Sequence, residues 1–203
     1  MRLFLENRPA ETPLPAIMVL RTATRAIHEQ LHSHAVFARL MGGEIDRPNY
    51  SALLLALYGF HKSYQYVSAD GPLRCAQLID DLTFLSPERL EVDQAPCLPQ
   101  SEPLCGSARW GVEYVLTGAS LGGKLLARKL DHLLGAETRD GRSFFIGYGE
   151  NGGRRWRDFV TALNAGLPSK LDQRIAAEAA LQTFERFEAW MNVAVAEKAD
   201  GEN

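Results

Sequence analysis

The chain has 203 residues, 46% of them apolar and 23% charged, which is ordinary usage for a globular protein with room for a sizeable core. A net charge of -3 with a pI near 6.0 and no basic stretch excludes a nucleic-acid-binding surface, and no apolar run approaches the ~18 residues that a membrane span needs. Cys75, Cys97 and Cys105 are odd in number and form no C-x-x-C pair, which excludes a disulfide framework and a zinc ribbon and points to the reducing cytoplasm.

Residues 1–203 read as a single all-α domain with about seven helical stretches and almost no strand alternation. Met1 to Pro15 mixes charges with prolines, offers no signal-peptide core and is expected to be irregular. A first helix is predicted from Ile17 to Leu40, stopped by Gly42 and Gly43. A second opens at Asp46, with Pro48 in its first turn, and carries Leu53, Leu54, Leu57, Tyr58, His61 and Tyr64 on one core face. A third covers Pro72 to Leu85, and the proline-rich stretch Ser86 to Glu102 is an irregular connection. The fourth begins at Trp110, is interrupted at Gly118, Gly122 and Gly123, and resumes from Leu125 to Leu134. Glycine-rich loops from Phe144 to Gly153 lead to a helix over Arg154 to Leu163, a turn at Gly166 and Pro168, and a long last helix to about Lys198.

Two segments carry chemistry. In the first helix, Arg21, Arg25, His28 and His32 share one stripe beside apolar Leu20, Ile27 and Leu31. A neutral imidazole at the edge of an apolar face, with guanidinium groups one and two turns away, suits a flat metallocofactor with an apolar middle and an anionic rim, which is the shape of haem. In the second segment, three glycines fall within Gly118 to Gly123, each about 1 kcal/mol worse than alanine inside a helix. They allow either a close helix contact or the approach of backbone to a flat ligand.

These residues resemble the haem oxygenases, above all the soluble bacterial type, over most of the chain. Leu20 to Gln30 is similar to the family's proximal helix, which implies His28 as axial iron ligand and Arg21 as a propionate contact, with Arg25 beside it. Asn49 to Tyr64, with the Leu57-Tyr58 pair, resembles the following core helix, and Asp81-Leu82 matches a recurring pair. Tyr114 to Gly123 resembles the kinked, glycine-rich distal helix, so that haem would lie between the two, with Tyr114 and Phe184 at its pocket and Gly118, Gly122 and Gly123 as the catalytic backbone. Many members carry an aspartate after the first glycine, where this chain has Ala119. The resemblance implies oxidative cleavage of haem b by dioxygen to biliverdin, carbon monoxide and ferrous iron. It also implies an external reductase or ferredoxin, since no dinucleotide fingerprint follows a strand, and it admits a bilin-accepting protein as partner. A further propionate contact is expected within Arg154 to Arg157, as is a pocket wall from Phe187.

Other readings are a haem carrier or sensor, and a non-haem protein of the same fold. His28 to His32 also spells H-E-x-x-H, the helical zinc signature of metalloproteases, but the extended pattern wants a glycine and a third histidine where Ala35 and Ala38 stand, and no substrate-binding sheet precedes it. His34, His61 and His132 share no spacing with acidic or thiol partners and read as surface or hydrogen-bonded core residues, and Tyr58, Tyr64, Trp110, Trp156 and Trp190 as core or interface.

Overall fold

The computed structural model describes residues 14–86, 95–100, 104–136 and 138–196, and among them there is no strand. Helices α1 (Ala16–His32), α2 (Ala35–Gly42), α3 (Arg47–Ser63) and α4 (Gly71–Leu85) precede α5 (Gly106–Gly118), and the chain then turns through residues 119–122. Short helices α6 (Gly123–Lys129), α7 (Asp131–Leu134) and α8 (Ser143–Ile146) and a 3-10 turn at Gly149–Asn151 lead to α9 (Gly152–Gly166) and α10 (Lys170–Ala196). No helix among the described residues is long and apolar enough to cross a membrane.

The first predicted helix is two. Ser33 N–H bonds to the Gln30 carbonyl, and extended backbone at His34 (ψ 132°) redirects the chain into α2. The reason lies in packing. Ala16, Ile17 and Leu20 are buried against α9 and α10, whereas Val36 and Leu40 belong to a separate core that α2 enters against α6 and α3, and no straight helix serves both cores. Gly43 ends α2 in the left-handed region (φ 74°), as the paired glycines predict. Asp46 caps α3 through the Asn49 N–H at 2.9 Å.

Helix α5 starts four residues before Trp110, where Ser107 donates to Asp172 of α10 at 2.7 Å. Its packing on α10 is the most extensive in the fold. The two backbones meet at Gly111, where a Cβ would overlap the Ala176 carbonyl and the Ala180 N–H. In place of the predicted loop over residues 144–153, the chain forms α8 and the 3-10 turn, because α4 supplies the partners. The Asp81 carboxylate accepts from Ser143 N–H (2.6 Å) and Phe144 N–H (2.9 Å), and Arg74 donates to the Phe144 carbonyl at 2.8 Å with its guanidinium 3.8 Å above the Phe144 ring. The predicted connection from Ser86 to Glu102 lies partly outside the described residues, as do most of 1–15 and the end of the last helix. Its described part, residues 95–100, lies against α3, with Leu98 N–H donating to Gly59.

Gly111→Ala is expected to lower unfolding free energy by about 1–3 kcal/mol through overpacking. Gly152→Ala, with nothing within 4 Å of its Cβ and αR backbone, is expected to raise it by roughly 0.4–1 kcal/mol. Urea unfolding of both variants measures the difference.

Candidate functional site

The candidate site lies where α1 and α5 converge on α10. Thr24 is buried on α1 and brings its hydroxyl to 3.4 Å from that of Tyr114 on α5. One helical turn beyond this tie stand His28 on α1 and Gly118 on α5. Ala176 of α10 is clustered with Leu20 and packs on Gly111, while Phe184, two turns further along α10, stands edge-on to His28 with ring centroids 6.1 Å apart. The three helices therefore run in the same direction, and His28, Gly118 and Phe184 reach one level. His28 is exposed along one side and enclosed along the other, and that partial burial, with His32 beside it, pushes its pKa below the ordinary value. That direction favours the neutral imidazole, the form that donates a lone pair to a metal.

The glycines divide into two kinds. A Cβ at Gly118 would meet only the Trp156 ring at 3.8 Å, and one at Gly122 would meet nothing within 4 Å. Gly123 departs from the expectation that groups it with them. It is buried, and a Cβ there would overlap the Phe145 carbonyl, so its hydrogen is required by the contact of α6 with α8. Leu121 and Leu125 on the same stretch are 47% and 52% exposed, apolar surface that pattern reading overlooked because it lay among glycines. Thr24 and Trp156 were also missed. Neither belongs to a motif, and only the crossing of helices brings them to Tyr114 and Gly118.

The cations are distributed differently from the predicted stripe. Arg21 is exposed, two turns before His28 on α1. Arg25 turns to Glu29 at 2.9 Å, both side chains mostly in solvent, which engages its guanidinium on the solvated edge of α1. In the Arg154 to Arg157 cluster all three arginines are exposed, and Arg155 is engaged by Asp70 at 2.5 Å and stacks on Tyr148. Phe187 contributes to the apolar core beside Phe60 and Phe37.

Two cavities flank the other side of α5. A cleft of about 700 Å³ lies between α5 and α9, but its two arginines already pair with carboxylates, Arg109 with Glu113 and Arg155 with Asp70, and neither His28 nor Gly118 lines it. Behind it, a cavity of about 10 Å³, the size of one water, is lined by His61, Tyr64, Arg74, Thr117 and Tyr148. His61 is the buried core residue that its spacing suggests, edge-on to Phe60 and Phe144, and burial with the nearby Arg74 charge lowers its pKa to about 3.

No family model matches the chain, and no curated protein matches it in sequence. Solved structures do match. A haem oxygenase from Leptospira interrogans superposes with a TM-score of 0.72 at 17% identity, over 87% of this chain and 98% of that one. The NO- and CO-bound haem oxygenase from Neisseria meningitidis gives a TM-score of 0.65 at 20% identity, over 93% and 96% of the two chains. The chain has the all-α haem oxygenase-like fold.

The unfolded chain binds a proton at His61 below pH 6.5, while the folded chain keeps that imidazole neutral down to about 3, so stability falls as pH drops through this window. Between pH 7 and pH 5 the loss is about 2 kcal/mol. Urea unfolding at the two pH values is expected to show this loss in the wild type and a correspondingly smaller one in His61→Leu, whereas equal losses would mean that the folded state protonates His61.

Proposed function

We propose that the chain is a haem oxygenase, opening haem b to biliverdin with release of carbon monoxide and ferrous iron. Dioxygen is the co-substrate, and electrons come from an external reductase or ferredoxin. The observation that carries this reading is His28 on α1 at the level that Gly118 reaches on α5, beside Phe184 of α10, on the fold that the two solved haem oxygenases share. When bound, haem supplies the iron centre at which dioxygen is activated.

The residues present fit that group. His28 would hold the iron through its imidazole, and Arg21, exposed on the same helix, would offer a charge-assisted bond to a propionate. Phe184 and Tyr114 give aromatic wall, and Leu121 and Leu125 supply apolar surface that gains from being covered. Gly118 and Gly122 present hydrogens where side chains would take the space that dioxygen and a water need. Residues 118–123 hold no acid, base or arginine, and the Ser120 hydroxyl is committed to the Thr117 carbonyl at 2.7 Å. A charged group that would drive oxygen–oxygen cleavage away from the ring is therefore missing from this turn, which favours oxidation of the ring itself. Residues 1–203 act as one domain in the cytoplasm, consistent with exposed free thiols at Cys97 and Cys105, and a bilin-accepting protein would take the product.

Ala119 favours a second reading, a haem carrier or sensor, because the turn carries no carboxylate to order a distal water. Addition of haemin, then ascorbate in air, separates the two. The oxygenase loses its Soret band as a bilin band grows, and the carrier keeps the Soret band.

His28→Ala is expected to abolish bilin formation, with free imidazole partly restoring the haem spectrum. An unchanged haem spectrum in the variant would remove His28 as ligand. Gly122→Ala, with the same open Cβ and αR backbone as Gly152, is expected to melt no lower than the wild type without haem and to bind haemin, yet to yield far less bilin, because its methyl group meets no protein atom and takes the space proposed for the ligand. Bilin yield at the wild-type rate would assign Gly122 to the helix turn alone.

A further inference from the structure

His28 and His32 are one helical turn apart on α1, both exposed, with ring centroids at 4.8 Å and planes tilted by 53°. A tetrahedral ion bound at ~2.05 Å holds two imidazole nitrogens about 3.3 Å apart, a separation within reach of rings already this close by small χ rotations. Such rotations need not disturb the core, since Ile27 and Leu31, not the histidines, are the residues that α1 buries at this level. Two imidazole nitrogen donors select borderline first-row ions, copper above zinc and nickel, over magnesium or calcium. The neighbouring carboxylate, Glu29, is held to Arg25 on the solvated edge, and the described residues contain no cluster of three or more His, Cys, Asp or Glu. Water would complete the coordination, so the ion binds reversibly and is not a hydrolytic centre of the H-E-x-x-H kind.

We propose that His28 and His32 form a bidentate site for a divalent copper or zinc ion, which occupies the imidazole that haem requires. The chelate stands on helix geometry alone, while its competition with haem rests on the proposed oxygenase reading. An ion that binds the folded chain and is displaced by haem raises the melting temperature with the logarithm of its free concentration above Kd and slows haem loading. Metal availability would in this way gate the entry of substrate.

The test uses the haem-free full chain, with copper(II) and then zinc added as chloride salts and melting followed by circular dichroism. The wild type is expected to gain several degrees at saturating copper and less at equal zinc. His28→Ala and His32→Ala should each lose that gain, while His132→Ala, which removes a histidine bonded to the Lys129 and Ile45 carbonyls, should keep it. His32 is exposed and alanine suits a helix, so that variant folds. Haemin titration then reads the competition. Preloaded copper should weaken haemin binding by the wild type at least tenfold and leave His32→Ala unaffected. Metal-dependent stabilisation that persists in His32→Ala places the ion elsewhere and overturns the proposal, as does haemin binding by the wild type that ignores copper. Metal-dependent melting lost in both variants, with no haemin binding by any form, supports the chelate and overturns the oxygenase reading instead.

Discussion

The structure depends on the contact between Gly111 of α5 and the Ala176–Ala180 stretch of α10. No side chain separates the two backbones there, so the position of α5 along α10 is set by close packing and not by adjustable side chains. Helix α1 packs on the same face of α10 through Ile17 and Leu20, and the Thr24–Tyr114 tie joins α1 to α5. One helix thus acts as the common reference for an imidazole and a glycine turn that are 90 residues apart in the chain. Phe184, on that same helix, stands beside His28 because it follows Ala176 by two turns.

The turn after α5 is held from behind. Asp81 and Arg74 satisfy backbone groups of α8, Gln77 reaches the Gly147 carbonyl, and the Phe145 carbonyl presses on Gly123. Arg74 and Asp81 are both buried, and each is held by hydrogen bonds, Arg74 to Gln77 and the Phe144 carbonyl and Asp81 from the Ser143 and Phe144 N–H groups, although Arg74 Nε has no partner. These bonds give residues 143–147 enough local order to serve as a rigid stop for α6. The face of the turn towards Gly118 and Gly122 stays open because the opposite face, at Gly123, is already in contact. A flexible loop at 143–147 would leave the spacing between turn and α1 undefined.

Electrostatics separates the candidate site from the larger cleft between α5 and α9. In that cleft each arginine has a carboxylate partner, and an incoming charged ligand would have to break Arg155 from Asp70 or Arg109 from Glu113. His28, Arg21, Leu121 and Leu125 are instead exposed to solvent and enter none of the ion pairs of that cleft. Apolar surface open to water gains free energy from being covered, whereas charges already paired gain little. Size favours one place, and unsatisfied chemistry favours the other.

Much was legible in the sequence because it is local. The helical stripe around His28, the Asp46 cap, the Gly42-Gly43 stop and the glycine interruption after Thr117 depend on residues within a turn or two of one another, and periodicity reports such features directly. The break between α1 and α2, the helix at 143–146 and the early start of α5 were not legible, because each is imposed by a partner distant in sequence: two separate cores for Val36 and Leu20, the Asp81 carboxylate for α8, and Asp172 with the α10 backbone for α5. Composition and spacing likewise could not sort Gly123 from Gly118 and Gly122, since all three look alike until a carbonyl from another element stands against one of them. By itself the sequence determined that the protein is helical, that His28 lies at the edge of an apolar face, and where backbone lacks side chains. Only the tertiary structure decided which glycines face open space, which arginines are already paired, and that His28, Phe184 and Gly118 come to one level, because these follow from the packing of helices distant in the chain and not from any property of a single helix.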